Sequence, residues 1–176
     1  MKDKIKFKLA SNWFKILQEI ISDEILNLEK SKKFEIKKWK RNKKIEQGGG
    51  EFRILKHGKI FDKVGVNFSS VHGKFPQNLR GKIPGTKNNL NFSATGISFV
   101  MHMKNPNVPA MHFNTRFIQT SHGWFGGGID VTPCIKDDKE KKLFHKKLKK
   151  MCDNHNKNYY PKSKKWCDEY FFLPHR

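Results

Sequence analysis

Acidic residues are scarce in this chain. Against 16 Asp and Glu stand 37 Lys and Arg over 176 residues, a formal charge of +21. A balance so one-sided points to a polyanionic partner: nucleic acid, an anionic membrane surface or an acidic small molecule. Most of the excess is lysine, which with asparagine fills the surface-type positions, so a solvated basic surface accounts for the bulk of it. Arginine is the rarer cation, confined to Arg41, Arg53, Arg80, Arg116 and Arg176. Each arginine is therefore more informative than each lysine, because its planar fork grips carboxylate or phosphate in a bidentate way.

Cysteine is scarce too. Cys134, Cys152 and Cys167 are odd in number and form no C-x-x-C pair, which excludes a disulfide framework and fits free thiols in a reducing compartment. No apolar run reaches membrane-spanning length, and lysines interrupt "MKDKIKFKLASNW" too often for a secretory signal. Ser-His-Asp order, zinc-ligand spacing and a dinucleotide fingerprint are all missing. These absences lead us to expect a soluble, cytoplasmic chain without a membrane span, long enough for one domain.

What is present begins with Trp13, Leu17, Ile20, Ile21, Ile25 and Leu28 at helical spacing. This predicts an amphipathic helix, capped by Ser11 or Asn12, that packs this stripe on the rest of the domain. The basic run "KSKKFEIKKWKRNKK" reads as a charged connector. "GGG" at Gly48–Gly50 is a weak phosphate-loop signal, because no Lys-Ser/Thr accompanies it. "EFRILKHGKIFDKVGVNFSSVHG" predicts a hairpin leading into a further strand, and "RGKIPGTKNNLNF" a loop. "TGISFVMHM", "MHFNTRFIQT" and "GWFGGGIDVTP" follow as strands, the first two separated by the turn "KNPNVPA". A helix is predicted from Asp137 or Asp138, with Leu143, Phe144, Leu148 and Met151 as its apolar stripe. "YYPKSKKWCDEYFFL" predicts a helix running into a strand. The sum is an antiparallel α+β domain with helices at both ends of the strand block.

Alternation along the strands separates two faces, because successive side chains point opposite ways. In "MHFNTRF", Met111, Phe113 and Phe117 share one face; His112, Asn114 and Arg116 share the other. In "ISFVMHM", Ser98 and His102 fall opposite Ile97, Phe99, Met101 and Met103. In "GGIDVTP", Asp130 and Thr132 fall opposite Ile129 and Val131. If these strands pair, one face gathers two histidines, an arginine, an asparagine and an aspartate. The plain alternative is a wet sheet face backed by helices, but the lysines common elsewhere avoid these positions. Such a group suits several chemistries. Arg116 with Ser98 and Asn114 can clamp a carboxylate; Asp130 beside an arginine stays ionised and can accept an N–H. His102 and His112 can move protons or take a divalent metal, with His145 and His175 able to join them.

The blocks "GVNFSSVHG", "MKNPNVPAMHFNTRF", "GWFGGGIDVTP" and "YYPKSKKWCDEYFFLPHR" closely resemble the oxygen-dependent coproporphyrinogen III oxidase family, from about Lys38 to the last residue. The resemblance implies oxidative decarboxylation of two propionates of coproporphyrinogen III to vinyl groups, giving protoporphyrinogen IX in haem biosynthesis. Molecular oxygen is the implied oxidant, and no organic cofactor is implied. The implied fold is a large antiparallel sheet flanked by helices on both faces, assembled as a homodimer. By resemblance, His112 falls on the proposed proton donor, and Ser98, Asn114 and Arg116 on substrate-contacting positions. His102, His112, His145 and His175 fall on positions assigned to a divalent metal. Asp130 falls on the acid at the pyrrole nitrogens, and Arg176 on a propionate-handling arginine. In this picture, removing a pyrrole N–H proton makes an electron-rich anion able to react with oxygen, and the positive field aids capture of a tetra-anion.

Family members continue beyond "FFLPHR" through a second arginine, a Gly-Gly-Phe-Phe-Asp-Asp strand and a Gly-Gly-Arg loop that contacts substrate. The chain, residues 1–176, is thus expected to form a single domain equivalent to the N-terminal portion of the family, incomplete at its C-terminus, and not to turn over in isolation. Two other readings are carried forward. A non-catalytic tetrapyrrole-binding remnant would explain the length. A basic nucleic-acid-binding module would explain the charge, although its face should interleave aromatics with Lys and Arg. Nucleic acid is therefore not the expected partner.

Overall fold

The computed structural model describes residues 2–30 and 32–174. Its strands are β1 (Glu35–Lys40), β2 (Gly48–Lys56), β3 (Phe61–Lys74), β4 (Asn91–Met103), β5 (Ala110–Gln119) and β6 (Gly123–Thr132). They form one six-stranded sheet in the order β1-β2-β3-β4-β5-β6, and every neighbouring pair is antiparallel. Helix α1 (Lys2–Glu29) precedes the sheet; α2 (Asp138–Asp153) and α3 (Tyr159–Phe171) follow it. The α+β class expected from the sequence is the class observed, with α1 packed on β3, β4 and β5 and α3 against β6.

The core lies between α1 and the apolar sheet face. Val64, Val66, Phe68, Ile97 and Phe117 are buried there together with Ala10, Phe14 and Ile25 of the helix. The helix buries only part of the expected stripe: Ile25 is buried and Leu17 and Ile21 pack against the core. Trp13 is 53% exposed and Ile20 and Leu28 are also exposed, whereas Gln18 is 3% exposed and Ser22 and Glu29 are buried. The reason is hydrogen bonding, which makes these polar groups compatible with the interior. Gln18 Nε2 donates to the carbonyls of Val66 at 3.0 Å and Glu51 at 3.2 Å. Ser22 Oγ donates to the Gln18 carbonyl at 2.7 Å. Glu29 accepts from the backbone amides of Lys59, Ile60 and Phe61, and so ties the end of α1 to the β2–β3 turn. That turn needs Gly58, because a Cβ there would run into the Glu29 carboxylate. Arg53, buried on the same face, is held by Glu19 and Glu51.

Two local expectations, on the lysine-rich run and on the segment after the hairpin, are corrected. The lysine-rich run contains β1, whose ladder with β2 gives its backbone partners despite the exposed charged side chains. Gly48–Gly50, already a weak phosphate-loop signal, is the start of β2. Side chains at Gly49 and Gly50 would run into the backbones of β1 and β3 respectively. The segment from Phe61 to Lys74 is one long strand, so no further strand follows the hairpin there. At the other end, α2 starts as expected, with Asp137 accepting from the amides of Lys139 and Glu140. Its stripe is not covered, however: Leu143 and Met151 are exposed. Nor does α3 run into a strand among the described residues.

Candidate functional site

The register joins the three predicted strands. Ser98 lies opposite Asn114, and Asn114 opposite Gly128; in the next row Val100, His112 and Asp130 are opposed. In the row on the other side of Ser98, Arg116 lies between Gly96 and Gly126. Directly opposed residues share a face, with Cβ atoms about 4.5–5.5 Å apart. Ser98, His112, Asn114, Arg116 and Asp130 therefore do form one polar face. His102 lies on the same face, two residues beyond Val100 along β4.

Local bonds pre-set some of these groups. Arg116 Nη2 donates to Asn114 Oδ1 at 2.6 Å, which fixes the guanidinium beside the amide. Asp130 Oδ2 accepts from Thr132 Oγ1 at 2.8 Å. The strand pairing depends on the Pro-containing turn, where Asn105 caps its own loop through the amides of Asn107 and Val108. Backbone Lys104 ties this loop to Ile60 of the neighbouring turn at 2.9 Å.

The face has a shape that the sequence alone did not reveal. One row reads Trp39, Gly50, Ser69, Gly96, Arg116 across β1 to β5. Between the tryptophan and the arginine it carries only two glycines and a serine, so no large side chain stands in it. The next row continues the floor through Gly48, Val71 and Ala94. The result is a hollow of about 660 Å³, lined also by Arg41, Phe52, Asn67, Ser98 and Asn114. A smaller hollow of about 220 Å³ lies on the other side of Arg116 and Asn114, against Trp166, Tyr170 and Phe171 of α3. Arg116 thus stands on a ridge between two cavities. Trp39, Arg41, Phe52 and Asn67 were missed as site residues. They come from three strands and a connector that only the sheet order brings beside β4 and β5.

Of the four expected histidines, His102 and His112 share the sheet face, and the other two follow β6 in sequence. His145 sits in α2, with Nδ1 3.1 Å from the Tyr160 hydroxyl of α3. Burial pushes its pKa down, and Lys164 and Lys141 push it further. His175 and Arg176 lie outside the described residues. Among the described residues no three His, Cys, Asp or Glu side chains gather as metal ligands. The expected donor set is incomplete without His175, and no step below passes through a metal.

Fold and face together define an α+β domain whose open sheet presents guanidinium, amide and hydroxyl groups suited to carboxylate. The sequence comparisons are more specific. The family model described as coproporphyrinogen III oxidase matches residues 9–176, and the chain belongs to that family. It is 46% identical over 178 residues to the oxygen-dependent coproporphyrinogen-III oxidase of Rickettsia akari, and 45% identical to that of Rickettsia bellii. In both alignments 96% of this chain is covered, but only 62% of the relative. No helix among the described residues is long and apolar enough to cross a membrane.

Proposed function

We propose that this chain carries the substrate-binding sheet face of an oxygen-dependent coproporphyrinogen III oxidase. The observation that supports this best is the pre-set Arg116–Asn114 pair beside Ser98, at the edge of a hollow floored by small residues. A flat tetrapyrrole with four propionates fits such a floor. In this reading Arg116, Asn114 and Ser98 hold one propionate through charge-assisted bonds. Asp130 takes the pyrrole N–H proton or holds it by a hydrogen bond, and His112, directly across the ladder, moves a proton as the propionate loses carbon dioxide. Dioxygen is the co-substrate that accepts the electrons, and the steps need no organic cofactor. The cytoplasmic location, the single-domain organisation and the homodimer belong to the same proposal. The outer edges of β1 and β6, unpaired in the described sheet, give a second copy surfaces to use.

The test is a titration with coproporphyrin III, the redox-stable analogue of the substrate, alongside an oxygen-dependent assay for protoporphyrinogen IX. Saturable binding is expected, weakened about ten-fold by Arg116→Gln, the size of one lost charge-assisted hydrogen bond. His112→Ala should leave binding largely intact and lower any turnover. Absence of saturable binding would refute the reading. Binding without product would instead favour a non-catalytic tetrapyrrole binder.

A further inference from the structure

The arginines are few enough to be accounted for individually. Arg53 is locked to Glu19 and Glu51 behind the sheet. Arg80 donates to the Gln77 side chain and the Lys87 carbonyl. Arg176 is outside the described residues. That leaves Arg41 and Arg116, and both line the 660 Å³ hollow. Neither has a carboxylate partner among the described residues. An unneutralised guanidinium in a cavity wall is a standing invitation to an anion.

They stand apart along the strand direction. Arg116 pairs with Gly96 of β4, and Phe92 lies four residues earlier on that strand, roughly 13 Å away by strand rise. Arg41 follows just beyond β1, where its backbone amide donates to the Gly48 carbonyl at 2.8 Å. Its guanidinium is carried over the Phe92 ring, 5.1 Å from the centroid. Stacking of this kind positions the group without neutralising its charge. The floor between the two guanidinium groups is Val71 and Ala94, then Ser69 and Gly96.

We infer that Arg41 is a second carboxylate anchor, so that the hollow grips a flat molecule by carboxylates on two opposite edges. The inference rests on the reading of this hollow as the tetrapyrrole site and adds to it a residue and an orientation. One edge is fixed at the Ser98–Asn114–Arg116 end, the opposite edge at Arg41, and the ring plane lies along the sheet. A ligand whose carboxylates share a single edge uses one end only.

The experiment compares porphyrins by fluorescence titration at fixed ionic strength, using variants whose thermal midpoints match the unsubstituted chain. For coproporphyrin III, with four carboxylates around the ring, Arg41→Gln should weaken binding about ten-fold, and Arg41→Lys should recover only part of that. For protoporphyrin IX, whose two carboxylates share one edge, Arg41→Gln should change binding less than about two-fold. Arg80→Gln, which removes the same charge elsewhere, should leave both unchanged. Equal binding of coproporphyrin III by Arg41→Gln and the unsubstituted chain would overturn the inference and leave the site reading standing. An equal loss in Arg80→Gln would assign the effect to bulk charge and also overturn it. If the unsubstituted chain binds no porphyrin, the site reading falls and the inference with it.

Discussion

Phe14→Ala is expected to lower the unfolding free energy by about 3–5 kcal/mol, the range for truncating a fully buried aromatic side chain. Phe14 is 2% exposed, and its ring meets Phe125 edge-on at 6.4 Å, which in turn packs on Phe117 at 4.8 Å. Truncation would open a cavity between α1 and the sheet that neighbouring rings cannot collapse to fill. Its chain neighbour provides the control. Trp13 is the larger side chain and the core candidate by helical spacing, but it faces outward, so Trp13→Ala should cost less than about 1 kcal/mol. Urea denaturation of both variants tests the facing of the helix. If the tryptophan variant loses more than the phenylalanine variant, α1 is turned the wrong way on the sheet.

Glu29→Ala should cost about 3 kcal/mol by the same measurement, because it strips the acceptor from three backbone amides in the β2–β3 turn. The side chain also confers a pH dependence. Burial by itself pushes the Glu29 carboxyl up, but the amides of Lys59, Phe61 and Ile60, helped by Lys32, outweigh it and hold the carboxyl below its ordinary range. A carboxyl with a lower pKa in the folded chain binds fewer protons there than in the unfolded chain, so stability rises with pH through this window. The contribution is complete above the ordinary glutamate value near 4.5 and is lost as pH falls through the depressed folded value. Glu19, lowered chiefly by its hydrogen bond to Arg53, and Glu35, lowered chiefly by its bond to Lys37, act in the same direction. The informative quantity is therefore the difference between the unsubstituted chain and Glu29→Gln. It should shrink on acidification below pH 4.5, and a difference that stays constant would show that the carboxylate charge contributes nothing.

The sheet face and helix α1 differ in how far the sequence reveals them. Period-two alternation is a local property, so the polar face of β4, β5 and β6 was legible from single strands. His112, Asn114, Arg116 and Asp130 share that face in the folded sheet, as the alternation predicted. The buried side of α1 was not legible, because hydropathy treats Gln18, Ser22 and Glu29 as surface residues while their hydrogen bonds lie tens of residues away or along the helix. Strand β1 was hidden for a related reason. Its lysines dominate the composition, but a strand at a sheet edge tolerates charge and is even protected by it. The far wall of the hollow is non-local altogether. Nothing near Trp39 or Arg41 in the chain points to Arg116, and only the register through β2, β3 and β4 brings them to one surface.

That register has a kinetic consequence. Each strand pairs with the one made just before it, so sheet assembly needs no strand to wait for a distant partner. Loop closure is short at every step except the β3–β4 connection, and chains dominated by such near-neighbour pairing fold quickly for their size. The long-range event is the docking of α1, which leads the chain yet rests on β3, β4 and β5. During synthesis the helix must therefore wait, its apolar side uncovered, until the middle of the sheet has been made.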